Sequence, residues 1–219
     1  MGAESHCVVA IDGPAASGKS TVSREVARRL GFVYVNSGAM YRAITWYILE
    51  QGLNGSAMDR IAAAIAHARI RCQMSGLASH IVINETDPVE HLREARVNHE
   101  VSQVSAIPQV RSVVDGLMRE CARHYDVVVE GRDIGSIVFP NTPFKFYIDA
   151  SPEVRQRRRA AEGQRDEIAA RDRADSSRVA APLVIAEDAL VIDSSHLTID
   201  GVVGEIIGRL KMKGLPVNA

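Results

Sequence analysis

The chain has 219 residues, 46% of them hydrophobic, which suits one compact domain with inserted segments better than two independent domains. Lys and Arg number 26 against 27 Asp and Glu, so the formal net charge of -1 gives no global reason to expect a nucleic-acid or membrane partner. No secretory signal pattern or membrane-length apolar run occurs, and the three cysteines fit a reducing compartment as structural thiols. These features predict a cytoplasmic protein.

The first elements alternate between strands and helices. Residues 7–11 form a short apolar strand, and residues 21–30 carry apolar side chains at helical spacing. A second strand over 32–38 and a second helix over 39–52 follow. This alternation predicts a parallel sheet.

The middle of the chain departs from that alternation. Residues 69–85 contain two segments in which apolar and polar side chains alternate, joined across SGLAS, and this pattern predicts a β-hairpin. A polar helical stretch continues to about residue 104, and a helix over 108–124 resumes the core. We interpret the hairpin region as a lobe inserted into an α/β core.

The last third begins with two β-branched or aromatic segments, 125–133 and 144–150, whose nearly continuous apolar character predicts central strands. An arginine-rich segment extends to residue 178, and a final strand and helix close the chain. The predicted division is a core in three parts, an inserted lobe and a lid: core 1–66, lobe 67–105, core 106–154, lid 155–180 and core 181–219.

A glycine-rich motif lies between the first predicted strand and helix. Gly13 to Ser20 match G-x-x-x-x-G-K-[ST], and the flanking strand and helix are the context that gives the match meaning. Backbone N–H groups of such a loop wrap phosphates, Lys19 reaches the β- and γ-oxygens, and the Ser20 hydroxyl is a ligand of Mg²⁺. The motif therefore predicts binding of ATP with Mg²⁺. It does not name a reaction, but the D-x-x-G and N-K-x-D strings of a GTPase switch are absent from the sequence.

Five segments taken together resemble the signature segments of bacterial cytidylate kinases: IDGPAASGKST, NSGAMYRA, SQVSAIPQVR, EGRDIGSIVFP and RDRADSSRVAAPL. They span most of the chain. The resemblance implies an α/β P-loop core with an inserted nucleoside-monophosphate-binding lobe and a lid. It also implies phosphoryl transfer from ATP to CMP or dCMP, in an enzyme that we expect to be a monomer.

The resemblance assigns residues to the two nucleotides. Lys19, Arg132 and Arg178 are the expected catalytic residues, and Ser20 is the expected metal ligand. The expected ATP-binding residues are Gly13, Pro14, Ala15, Ala16, Ser17, Gly18, Lys19, Ser20, Thr21 and Arg158. Those expected to bind CMP are Ser37, Arg42, Ser102, Arg111, Arg132, Asp133, Arg171, Asp175 and Arg178.

Within the acceptor set, the resemblance gives each group of residues a different part of CMP. Arg42, Arg132, Arg178 and Ser37 are expected at its phosphate, Arg171 and Asp175 at its ribose, and Ser102, Arg111 and Asp133 at its base.

Several residues keep a structural alternative. Arginines in charged helical segments are usually solvated, and this interpretation is given to Arg155, Arg157, Arg159, Arg165 and Arg173. Arg158 is either such a residue or a contact near the adenine and the donor phosphates, and Arg93 matches a family position but equally fits a salt bridge in the lobe. Asp133 could instead form a structural salt bridge with Arg111 or Arg132.

Two departures from the family pattern concern the lid and the metal. The segment between Arg159 and Arg171 is shorter than in many relatives, and this bears on the adenine contacts. Glu130 stands where an aspartate is common, and it could reach Mg²⁺ through water. Two other functions remain open at this stage: a kinase acting on another nucleoside monophosphate, and a regulator that binds ATP without transferring phosphate.

Overall fold

The computed structural model describes residues 6–161 and 183–216. The strands, in chain order, are β1 Val8–Asp12, β2 Val33–Asn36, β3 Ile70–Ser75, β4 Ala78–Ile83, β5 Val127–Gly131, β6 Phe144–Asp149 and β7 Leu190–Asp193. The helices are α1 Lys19–Leu30, α2 Ser37–Glu50, α3 Met58–His67, α4 Ala95–Val104, α5 Pro108–His124, α6 Pro152–Ala161 and α7 Ile199–Met212. A single π-helical turn spans Ile134–Val138.

The seven strands of the described residues belong to one sheet in the order β3-β4-β2-β5-β1-β6-β7. The five neighbouring strands β2, β5, β1, β6 and β7 run parallel to one another. Strand β4 is also parallel to its neighbour β2, whereas β3 is antiparallel to β4. The mostly parallel sheet confirms the predicted α/β class. Because the parallel strands end at the same edge, the loops after β1, β2 and β5 meet there.

Helices cover both faces of this sheet, and the central strand β5 packs against helices on both faces. Val127 and Val129 pack into the apolar cluster formed with α2, α4 and α5, while Val128 packs into the opposite cluster with α1 and α7. Side chains on a strand alternate between the two faces of the sheet, so these three consecutive valines contribute to both apolar clusters. All three are fully buried.

The hairpin confirms the antiparallel prediction and joins the sheet through a narrow seam. Six residue pairs connect β3 with β4, from Ile70↔Ile83 to Ser75↔Ala78. Between β4 and β2 the register contains the single pair Tyr34↔Ala78, supplemented by the amide of Tyr34 donating to the carbonyl of Leu77 at 2.7 Å. The hairpin is therefore attached to the core largely by side-chain packing.

Two boundaries and one whole helix differ from the sequence-based expectations. Helix α1 begins at Lys19, directly after the glycine-rich loop. Ser37 was expected in the second strand but opens α2, because the Asn36 side chain caps this helix by accepting from the amide of Ala39 at 2.9 Å. Helix α3 was not predicted, since its buried apolar stripe consists of Ile61 and Ile65 alone.

Over the two described ranges, none of the helices has the length and apolar character that crossing a bilayer requires.

Candidate active site

The glycine-rich loop connects β1 to α1 at the carboxyl edge of the sheet. Gly13 has φ +155°, and a Cβ at this position would lie 2.1 Å from the carbonyl oxygen of Ile148 in β6. Gly18, with φ +89°, turns the chain into the first residue of α1. Glycine at these positions lets the loop lie close against the sheet and bring the N-terminus of α1 to the site.

Two cationic side chains lie on the first half of this loop. Lys19 is 8% exposed, and its Nζ donates to the carbonyl of Pro14 at 3.0 Å. Arg132, which directly follows β5, donates through Nη1 to the carbonyl of Gly13 at 3.0 Å. The structure thus brings together two of the three predicted catalytic residues from segments that are far apart in sequence.

Two further arginines reach the loop from α6. Arg155 donates to the carbonyl of Ala15 at 3.3 Å, and Arg158 donates to that of Ser17 at 3.0 Å. Arg158 also donates to the carbonyl of Ser194 at 2.8 Å. The interpretation of Arg155 as a solvated surface group is wrong, because the residue is half-buried and its guanidinium donates to the loop. The three-residue spacing of the two arginines, which places them on one helix face, is the sequence signal that could have identified it.

Glu130 connects the loop to the second strand. Its Oε2 accepts from the Ser20 hydroxyl at 2.8 Å, and its Oε1 accepts from the Tyr34 hydroxyl at 2.5 Å. Glu130 is 2% exposed. Burial of the Tyr34 hydroxyl, together with the negative charge of Glu130 beside it, raises the pKa of Tyr34. The carboxylate therefore places an oxygen next to the predicted metal-ligating hydroxyl, and oxygens of this kind are the ligands that Mg²⁺ prefers.

Asp12 is a buried carboxylate that the sequence analysis missed. Its Oδ1 accepts from the amide of Ile134 at 2.9 Å, and its Oδ2 accepts from the amide of Gly135 at 2.8 Å. Burial raises its pKa to about 6, although the two amides and the charges of Lys19 and Arg132 act against the increase. Asp12 directly precedes the loop, so these two hydrogen bonds connect the start of the loop to the turn after β5. A charged residue ending an otherwise apolar strand was the available signal.

The acceptor residues of α2 lie beside the ends of β2 and β5. The Ser37 hydroxyl is buried and donates to the carbonyl of Glu130 at 2.7 Å. Arg42 is one turn further along and donates to the carbonyl of Gly38 at 3.2 Å. Both predicted phosphate ligands are therefore placed by the first turns of α2, on the side of the sheet edge where Arg132 leaves β5.

Arg111 and Asp133 form a buried ion pair, with side chains 7% and 6% exposed. Arg111 also donates to the carbonyl of Ser105 at 3.4 Å, and its guanidinium carbon lies 5.6 Å from the centre of the Tyr41 ring. Ser102 is half-buried on α4, where its carbonyl accepts from the Ser105 hydroxyl at 3.2 Å. The salt bridge foreseen as an alternative exists, and a role of these residues in binding the base stays a prediction.

The remaining predicted residues divide into two groups. Arg157 and Arg93 are exposed, in keeping with a surface position, whereas Arg159 is half-buried. Outside the described residues lie the expected catalytic and CMP-binding Arg178, the expected CMP-binding Arg171 and Asp175, and the surface arginines Arg165 and Arg173.

A parallel sheet that presents a loop of this sequence before its first helix is the architecture of P-loop nucleotide-binding proteins, and this chain is one of them. Comparison with known proteins narrows the class. A family model described as cytidylate kinase matches residues 9–212. The cytidylate kinase of Desulforamulus reducens is 42% identical over 214 residues, which cover 92% of this chain and 96% of that one. The cytidylate kinase of Streptomyces griseus is 40% identical over 220 residues, covering 96% and 95%.

The chain belongs to the cytidylate kinase family. It is accordingly a phosphotransferase that phosphorylates CMP or dCMP.

Proposed function

We propose that the protein transfers the γ-phosphoryl group of ATP, bound on the loop 13–20, to CMP or dCMP bound at the carboxyl ends of β2 and β5. The observation that carries this assignment is the set of cations around the loop. Lys19, Arg132, Arg155 and Arg158 each donate to a different loop carbonyl. Four positive charges at one loop favour a highly charged anion such as a triphosphate.

The donor side works by positioning and by neutralising charge. The loop amides and the N-terminus of α1 hold the phosphates, and the Lys19 ammonium balances the charge that develops on the migrating group. An oxygen of the CMP phosphate attacks the γ-phosphorus, the bond to the β–γ bridging oxygen breaks, and ADP leaves. No covalent bond to the protein forms in this scheme.

Ser20 and Glu130 fit a role at the metal. The Ser20 hydroxyl would be the direct ligand and the Glu130 carboxylate would hold a coordinated water, since the two side chains are already in contact at 2.8 Å. Bound Mg²⁺ would supply charge neutralisation on the transferred phosphoryl group. Tyr34 keeps the carboxylate in place from its other oxygen.

On the acceptor side, Arg132 lies between the two nucleotides. It donates to the carbonyl of Gly13 and directly precedes Asp133, so one residue connects the donor loop with the predicted base pocket. Arg42 and Ser37 would bind the CMP phosphate beside it, with Arg178 joining them. Arg171 and Asp175 would meet the ribose.

The base pocket would select cytosine by the polarity of its edge. Cytosine offers an amino group and an unprotonated N3, whereas uracil offers a carbonyl and an N3–H. Asp133 and Ser102 would accept from the amino group while Arg111 donates to N3, so uracil would oppose like groups. Opposed or unpaired buried polar groups can give a discrimination on the order of 10⁴.

The test is ADP release measured by a coupled assay with CMP, dCMP, UMP and AMP at matched concentrations. We expect turnover with CMP and dCMP and kcat/KM values about 10³–10⁴ lower with UMP and AMP. Comparable turnover of UMP or AMP would contradict the base-pocket assignment. ATP binding without ADP release in the presence of any of these acceptors would instead favour a regulator that binds ATP without transferring phosphate.

Four further assignments belong to the proposal. The segment 67–105 is the acceptor-binding lobe, the segment 155–180 is the lid, which lies largely outside the described residues, the enzyme acts as a monomer, and it is located in the cytoplasm.

A further inference from the structure

Two cysteines from different elements meet beneath the hairpin. Cys72 lies on β3 and Cys121 on α5, and they are 49 residues apart in sequence. Both are free thiols, and their sulfurs are 3.1 Å apart, with the S–H of Cys121 donating to Cys72. A disulfide bond has a sulfur separation of about 2.05 Å, so the two atoms need to approach by only about 1 Å.

The two thiols of this pair differ in reactivity. The S–H of Cys121 stabilises a negative charge on Cys72 and holds the pKa of Cys72 below its usual range, although burial acts against it. The contact with Cys72 and burial raise the pKa of Cys121. Cys72 is half-buried and Cys121 is 4% exposed, so the more acidic thiol is also the more accessible one. This combination is typical of an attacking thiolate beside a resolving thiol.

The third cysteine is a built-in control. Burial, assisted by the charge of Asp126, raises the pKa of Cys7 to about 12. A thiol in that state is a poor nucleophile at neutral pH, because the thiolate is the reactive form.

We propose that Cys72 and Cys121 are an oxidation site at which hydrogen peroxide forms an intramolecular disulfide. The Cys72 thiolate attacks one peroxide oxygen, the O–O bond breaks, and the leaving hydroxide takes up a proton, which gives a sulfenic acid and water. The sulfur of Cys121 then attacks the sulfur of Cys72, the S–O bond breaks, and a second water leaves. Two thiols and one peroxide thus become one disulfide and two waters.

The disulfide stabilises the enzyme and leaves its chemistry intact. It adds a covalent link between the hairpin and α5, whereas the backbone of the hairpin meets the parallel sheet only at the pair Tyr34↔Ala78 and the adjacent Tyr34–Leu77 hydrogen bond. A cross-link that closes a loop of this length restricts the unfolded chain, and we expect Tm to rise by about 5–10 °C. Because the sulfurs are already in contact, kcat should stay within about twofold of that of the reduced enzyme.

The test uses the full-length enzyme treated with hydrogen peroxide, desalted and then denatured for thiol counting. We expect the three free thiols of the chain to fall to one, with a mass loss of about 2 Da and a peptide linking Cys72 to Cys121. Dithiothreitol should restore three thiols and the original Tm. The Cys7→Ser variant should show the same mass loss and the same rise in Tm.

Single variants separate the two roles. In Cys121→Ser, oxidised Cys72 has no resolving thiol, so it should proceed to the sulfinic acid with a mass gain of about 32 Da and no rise in Tm. In Cys72→Ser, Cys121 should stay reduced at the same peroxide dose. Three remaining thiols in the treated parent enzyme, a link that includes Cys7, a disulfide-bonded dimer or an unchanged Tm after cross-linking would each overturn the proposal.

Discussion

Replacing Asp133 by asparagine removes one charge from the buried ion pair and keeps the size of the side chain. Arg111 then retains the carbonyl of Ser105 and the face of Tyr41 but loses its closest counter-charge. Asp115 also acts on Arg111 electrostatically, although burial raises the pKa of that carboxyl. Removing one partner of a buried ion pair lowers the free energy of unfolding by ~3–5 kcal/mol. Because Arg111 keeps an acceptor atom and the nearby Asp115, we expect a loss at the low end of that range, about 3 kcal/mol.

Urea unfolding measures this loss of stability. Trp46, the only tryptophan of the chain, stacks on His91 at 5.4 Å and reports unfolding by its fluorescence. With a denaturant slope of about 2–3 kcal/mol per molar urea, the midpoint should fall by about 1–1.5 M. The matched control is Asp200→Asn, which breaks the exposed pair with Arg29 and should cost less than about 1 kcal/mol. A midpoint shift of Asp133→Asn no larger than that of the control would refute the reasoning.

The same variant tests the base pocket. Asparagine can present its amide N–H₂ to the O4 of uracil, so kcat/KM should fall steeply for CMP and only mildly for UMP. The ratio of the two values in variant and parent separates this role from stability. An equal loss for both substrates would leave Asp133 with a structural role only.

Three further substitutions address the loop, the metal and the buried carboxylate. Lys19→Met should lower kcat by about 10³ or more, because the lost charge acts on the migrating phosphoryl group; steady-state turnover measures it. Glu130→Gln should raise the Mg²⁺ concentration for half-maximal rate by about tenfold or more, since one of its two hydrogen-bond acceptors is replaced by a donor. The raised pKa of Asp12 means that its contribution to stability is complete below pH 3.8 and is lost as the pH rises to about 6. Asp12→Asn should therefore gain stability relative to the parent by up to ~3 kcal/mol across that window, measured by urea unfolding at both ends.

Each of these substitutions has a control or an outcome that would contradict it. For Lys19→Met it is the exposed Lys211→Met, which should leave turnover unchanged, and comparable turnover in both variants would remove the loop assignment. For Glu130→Gln, an unaltered Mg²⁺ requirement with normal folding would exclude the metal role. For Asp12→Asn, a stability difference that is constant between pH 4 and 7 would show that the carboxyl does not titrate in this range.

The core strands and the phosphate loop could be predicted because local sequence determines them. Gly13 and Gly18 occupy backbone conformations that other residues rarely adopt, and the apolar segments on either side have the periods of a strand and a helix. Lys19 and Ser20 follow from the same motif. The positions of Lys19 and Ser20 at the phosphate-binding loop depend only on the few residues around them in the sequence.

The contacts that complete the site depend on distant parts of the chain, and the sequence could not show them. Arg155 looks like any arginine of a charged helix until α6 packs beside the loop and brings it to Ala15. Asp12 is recognisable as a buried carboxylate only when the turn after β5 supplies two amides. Helix α3 lacks a broad apolar stripe, and its packing against the core decides its conformation.

The narrow seam between β2 and β4 has a consequence for motion in the native state. Amide protons of β3 and β4 are held by hydrogen bonds within the hairpin, while those of β5 are enclosed between two parallel neighbours. The hairpin can therefore open as a separate cooperative unit while the central strands stay paired. Its amides should exchange with solvent deuterium through this partial opening, at a free energy below that of global unfolding, whereas the amides of Val127 to Val129 should exchange only when the whole domain unfolds.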